Sequence, residues 1–173
     1  TGNPGTGKTT VARILGKLFK AIGLLPNDSV LEVARGEMVG QYVGSTAPLV
    51  NSVCDKAMGG TLFIDEAYTL NQNSSDTFGH EAIDTLLKRM EDDRGKYVVI
   101  VAGYKRNMDD FIQSNPGLKS RFTTYIHLED YNADELFELF KLYAKKDNYI
   151  ISHQVGEILY SLIEEIWYNR GKD

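Results

Sequence analysis

Gly2-Asn3-Pro4-Gly5-Thr6-Gly7-Lys8-Thr9 is the stretch on which the fold of this chain is decided. Two glycines separated by four residues and followed by Lys and Thr have the spacing of a phosphate-binding loop that opens a helix. Glycine lets successive backbone N–H groups turn inward to form an anion nest, and the helix adds the partial positive charge of its N-terminus. Gly2, Asn3, Pro4, Gly5, Thr6, Gly7, Lys8, Thr9 and Thr10 are thus the nucleotide-binding candidates. In this reading Lys8 reaches the β- and γ-phosphates of ATP, and the Thr9 hydroxyl ligates Mg2+.

After the loop, Val11, Ile14, Leu15, Leu18 and Phe19 recur at helical spacing, which predicts a helix from about Lys8 with these residues on one face, Gly23 as the stop and Pro26 beyond it. A strand is expected over 29–33, a glycine-punctuated loop over 35–46 and a helix over 47–58 that Gly59 and Gly60 break. The short apolar run 61–64 then ends abruptly on Asp65 and Glu66, 57 residues after Lys8. That is the pattern of a buried parallel strand with carboxylates at its C-terminal edge. Asp65 is the candidate for holding Mg2+ through water, and Glu66 for polarising an attacking water. An activated water implies hydrolysis rather than transfer to a small molecule.

A polar loop over 71–76 follows, then a helix over 80–92, a buried strand over 97–102, a helix over 108–113 and a strand over 123–128. Strands alternating with helices predict a three-layer α/β core with a mostly parallel sheet. After Tyr131 the pattern is helical only: a capping box at Asn132 and Glu135 opens a helix to about residue 146, and a second runs over 152–168. The expected organisation is a core over 1–130 and a helical lid over 131–173.

The 173 residues, 42% hydrophobic and 25% charged, suit a globular chain. A net charge of −5 with interspersed signs lacks the basic stripe that nucleic-acid binding needs. The longest apolar runs, such as 97–102, fall far short of the roughly 18 residues of a membrane span. A single cysteine, Cys54, in an apolar helical pattern suits a reducing, cytoplasmic setting and reads as a small core hydrophobe. His80, His127 and His153 share no metal-ligand spacing.

Taken together, the phosphate loop, the Asp65-Glu66 pair, Met38-Val-Gly-Gln-Tyr42-Val-Gly-Ser-Thr46-Ala-Pro48, Gly59-Gly-Thr-Leu-Phe-Ile-Asp-Glu-Ala-Tyr68, and Ala102-Gly-Tyr104 with Ser114-Asn-Pro-Gly-Leu-Lys-Ser-Arg121-Phe122 resemble AAA+ ATPases. More narrowly they are similar to the group of red-type Rubisco activase and stage V sporulation protein K. The resemblance implies a P-loop NTPase fold, a hexameric ring with ATP at each subunit interface, and remodelling of a protein client. Arg121 takes the arginine-finger position, acting with Lys8 and Glu66 in catalysis; the alternative is a surface arginine after a turn. Tyr42 matches the central-pore aromatic that grips an extended polypeptide, against a tyrosine packed on the protein's own core. The loop over 71–78 is either a second pore loop or a solvated connection.

Where this family places a polar sensor after the fourth strand, the chain has Tyr104, with Asn107 as a neighbouring candidate. The resemblance also implies that the core's first strand precedes Gly2 and that the lid's second-sensor arginine follows Asp173. The stretch is therefore expected to be a fragment, unstable and a poor ATPase in isolation. A clamp or helicase loader acting on nucleic acid is the rival assignment, disfavoured by the acidic balance and by Tyr42.

Overall fold

Val30–Val33 (β1), Thr61–Ile64 (β2) and Val98–Val101 (β3) pair in parallel in the order β1-β2-β3 in the computed structural model, which describes residues 1–73 and 75–170. The register aligns Val33, Ile64 and Val101, so the three strands end level. All four residues of central β2 are buried, as expected for a strand covered on both faces. Phe63 packs with Ala12 and Ala102 on one side; Leu62 and Ile64 join Val50, Val53, Leu86 and Phe111 on the other. This alternation gives the expected layers. The chain divides into two compact units, Thr1–Leu128 and Glu129–Asp173.

Helix α1 spans Lys8–Ala21 and ends at Gly23, whose φ of 74° only glycine adopts readily. Its buried residues are Ala12 and Gly16, while Ile14 and Leu18 are exposed. Val11, Leu15 and Phe19 of the apolar face are half-buried, and the small residues bring the helix close to the sheet. The expected loop over 35–46 is corrected too, since Arg35–Met38 forms a short helix, α2, entered through a Glu37 carboxylate that accepts the Ala34 N–H at 3.0 Å. Helices α3 (Thr46–Ala57) and α4 (Thr77–Asp92) cover one face of β2, and a 3-10 turn spans Ala67–Asn71.

After β3 come α5 (Lys105–Gln113) and α6 (Pro116–Arg121). Asn115 caps α6 by accepting the Gly117 N–H at 2.7 Å, with Pro116 preset for the first turn. The strand expected over 123–128 is not formed. That segment makes a single parallel bridge, Gly2 to Leu128, supported by Thr1 N to Ile126 O at 2.6 Å and Leu128 N to Thr1 O at 2.8 Å. A ladder needs a partner along its whole length, and among the described residues Thr1 and Gly2 supply two. Between β3 and this segment lies a cavity of about 450 Å³ with Val11, Leu15, Phe19, Ile100 and Ile112 in its wall.

The second unit consists of α7 (Ala133–Lys146) and α8 (His153–Asn169). Asn132 and Glu135 form the expected capping box. The helices join through an edge-on pair of Phe137 and Tyr160, 5.3 Å between ring centres, and a Tyr160 hydroxyl donated to Asp134 at 2.6 Å. Trp167 donates to Tyr131 O at 3.1 Å, whereas Tyr168 is exposed. Leu159 and Ile163 of α8 are half-buried, whereas Val155, Ile158, Leu162 and Ile166 are exposed.

Candidate active site

The loop before α1 has the conformation its glycines permit. Gly5 and Gly7 have φ of 78° and 90°, values that a side chain disfavours. Gly7 is the N-cap and offers no side chain to the first-turn amides, and no acidic residue stands in that turn. The positive end of α1 is therefore left for an external anion. Lys8 folds back over the loop, its Nζ donating to Gly2 O at 3.0 Å and Asn3 O at 2.8 Å. The Thr6 hydroxyl donates to Asn3 O at 2.8 Å. An ammonium has three donors, so one remains for a ligand oxygen.

The acidic turn begins where β2 ends. Asp65 continues the ladder, its N–H donating to Val33 O at 3.0 Å, and its carboxylate accepts the Glu66 N–H at 3.0 Å. Glu66 is left-handed, with φ 49° and ψ 43°. A non-glycine residue held there is strained, as residues at functional sites often are. The Glu66 carbonyl accepts both the N–H and the hydroxyl of Thr69, at 2.8 and 2.7 Å, which starts the 3-10 turn. Its carboxylate accepts the Tyr68 hydroxyl at 2.8 Å. Burial, and after it the bond to Glu66, pushes the Tyr68 phenol up to about 12.

Two adjacent carbonyls beyond β3 hold these pieces side by side. Ala102 O accepts the Ala67 N–H at 3.0 Å, and Gly103 O accepts the Gly2 N–H at 3.2 Å. The next residue, Tyr104, places its ring 6.1 Å from that of Tyr68, and Lys8 Nζ lies 5.9 Å from the Tyr104 ring centre. Gly103 itself is enclosed: a Cβ there would stand 2.8 Å from Tyr68 Cδ1 and 3.0 Å from Met108 Cγ. Lys8, Glu66 and Tyr104 are thus gathered, while Asn107 is an exposed residue in the first turn of α5.

The Mg2+ candidates, Thr9 and Asp65, offer a hydroxyl and a carboxylate. Hard oxygens in small number fit Mg2+, which keeps its waters and leans on substrate phosphates rather than on an all-protein cage. Among the described residues no group of three or more His, Cys, Asp or Glu is placed to hold a metal.

Arg121 lies in the wall of the cavity that Thr1 and Lys8 also line. At the end of α6 its Nη2 is 3.4 Å from the Glu91 carboxylate and its Nη1 3.4 Å from Gly117 O. Tyr42 is 75% exposed beside Val43 at 93%, so it is not packed on the protein's own core. A tight turn presents it: the Ser45 hydroxyl and N–H both donate to Tyr42 O, at 2.6 and 3.1 Å, and Gly44 has φ 81°. Of the loop over 71–78, Ser74 lies outside the described residues, and Asp76 is bound by Arg35.

Two participants escaped the sequence reading. Tyr68 was visible only as an aromatic two residues after Glu66, and nothing local announces Arg35 as the partner of Asp76. Cys54 is buried, as expected.

Residues 1–130 match the model of the ATPase family associated with various cellular activities (AAA). The chain belongs to the AAA ATPase family. This AAA domain is 46% identical over 153 residues to stage V sporulation protein K of Bacillus subtilis (strain 168), covering 88% of the chain and 48% of that relative. It is 44% identical over 165 residues to the protein CfxQ homolog of Galdieria sulphuraria, covering 95% and 54%. To the ESX-3 secretion system protein EccA3 of Mycolicibacterium smegmatis (strain ATCC 700084 / mc(2)155) it is 48% identical over 146 residues, covering 84% and 24%. The chain spans about half, or less, of the length of these curated relatives. A crystal structure of the FIGL-1 AAA domain in complex with ADP superposes with a TM-score of 0.63 at 15% identity, over 98% of this chain and 53% of that one. That likeness establishes the AAA P-loop fold. Among the described residues no helix is long and apolar enough to cross a membrane.

Proposed function

We propose that this AAA domain, with its core over 1–130 and lid over 131–173, hydrolyses Mg-ATP in the cytoplasm. In this proposal hydrolysis drives remodelling of a protein client by a hexameric ring. The observation that carries the reading is the pair of neighbouring carbonyls, Ala102 O and Gly103 O, that tie the Glu66 turn and the phosphate loop to one strand end.

In this reading the amides of residues 5–10 and Lys8 bind the phosphates, and Thr9 and Asp65 hold Mg2+. The ion, when bound, neutralises charge on the phosphoryl oxygens. Glu66 accepts a proton from water as the water oxygen bonds to the γ-phosphorus and the bond to the β,γ-bridging oxygen breaks, leaving ADP and phosphate. Tyr104 lines the site through its contact with Lys8. Arg121 serves a neighbouring subunit's site, where a planar guanidinium neutralises developing charge. The exposure of Tyr42 supports its gripping an extended polypeptide. A relative named for a secretion system and another named for sporulation are compatible with a protein client.

Replacing Glu66 with Gln in the full-length protein tests the chemistry. ATP binding should persist while hydrolysis falls at least a hundredfold, and capture experiments with the ATP-loaded variant should retain the client. Normal turnover would sink the assignment.

A further inference from the structure

We propose that Tyr68 is the positioning residue for Glu66: its hydroxyl fixes one carboxylate oxygen and leaves the other to take the proton of the attacking water. This rests on the reading of Glu66 as the base.

The need for such a partner follows from where Glu66 sits. Its residue is exposed, on a turn, and a free glutamate side chain samples many rotamers. A general base must instead hold its oxygen within a few tenths of an ångström of the productive position. Among the described residues the Glu66 carboxylate takes one hydrogen bond, from the Tyr68 hydroxyl at 2.8 Å. The two residues are locked in register by the 3-10 turn, because Thr69 bonds twice to Glu66 O.

The tyrosine is itself held. Its ring packs against the main core cluster and lies over Gly103, leaving no room there for a Cβ. On its other side stands the Tyr104 ring, with Lys8 beyond. Because burial and Glu66 keep the phenol protonated well above neutral pH, Tyr68 is a donor throughout the physiological range. The backbone strain at Glu66 is thereby matched by a rigid aromatic that meets the carboxylate at one oxygen.

Tyr68→Phe removes the hydroxyl and keeps the ring that packs on Gly103. In the full-length protein, kcat for ATP should fall about 10- to 100-fold with KM, nucleotide Kd and Tm unchanged. The deciding readout is a double-mutant cycle: under single-turnover conditions Tyr68→Phe should cause no further fall in the Glu66→Gln background. An equal fall in both backgrounds would mean that Tyr68 acts elsewhere and would overturn the proposal. Unchanged kcat for Tyr68→Phe beside a dead Glu66→Gln would overturn it while leaving Glu66 as the base. Normal turnover in Glu66→Gln would remove the base reading itself, a separate failure.

Discussion

Arg35 grips Asp76 through two hydrogen bonds, Nη1 to Oδ2 at 2.7 Å and Nη2 to Oδ1 at 3.1 Å. The same Nη1 donates to Thr69 O at 2.6 Å, and Asp76 also caps α4 by accepting the Gly79 N–H at 3.0 Å. One guanidinium thus ties the start of α2, the turn after Glu66 and the start of α4. Both side chains are largely buried, with 25% and 10% exposed, so removing one leaves the other uncompensated.

Asp76→Ala should therefore cost about 2–4 kcal/mol of stability, because it deletes a cap and a buried pair together. Asp76→Asn should cost less, since it keeps an acceptor for the cap. The Arg35 bonds hold the Asp76 carboxyl below its ordinary 3.8. Its folded-state value is depressed, so its contribution is full above the unfolded value and is lost as pH falls through the folded one. Urea melts should show the gap between wild type and Asp76→Asn at neutral pH, narrowing below about pH 4. A gap that does not change with pH would contradict the ion pair.

Among the described residues Arg121 makes one long ionic contact, to Glu91 at 3.4 Å, between side chains 27% and 52% exposed. A pair of that kind contributes at most about 1 kcal/mol to stability. The cost of Arg121→Ala should appear instead in turnover, by about 10³-fold. Titrating this variant into wild-type assemblies should depress activity more steeply than its mole fraction. A strictly proportional decline would place the residue outside a neighbour's site.

Tyr42→Ala should alter stability by less than about 0.5 kcal/mol, because the ring is exposed and removes little apolar surface from water. Client-stimulated turnover should fall far more than basal turnover, and Tyr42→Phe should restore most of it. Full client stimulation in Tyr42→Ala would discredit the pore-loop role.

What the sequence made legible was local. Gly2 to Thr9 and the step from Ile64 to Asp65 are contiguous patterns, and the structure has both where the spacing put them. Periodicity says which residues share a helix face but not whether anything covers that face, which is why Ile14 and Leu18 turned out exposed. Residues 123–128 have strand propensity, yet pairing depends on a partner and they make one bridge. Four residues, 35–38, are too few to show a helical period. Arg35 and Asp76 meet across 41 positions, and the left-handed turn at Glu66 leaves no mark in composition.

Gly103 gives the site a shared tolerance. Its oxygen accepts the Gly2 N–H of the glycine-rich loop and its bare Cα is the seat of the Tyr68 ring, so the two halves of the candidate site are gauged from a single residue. Adding one methyl there would misalign the loop and the tyrosine at once, and neither could be re-shimmed without disturbing the other. The spacing between the glycine-rich loop and the Glu66 turn is in this sense machined by an absence, and a side chain at Gly103 would meet Tyr68 and Met108 at 2.8 and 3.0 Å.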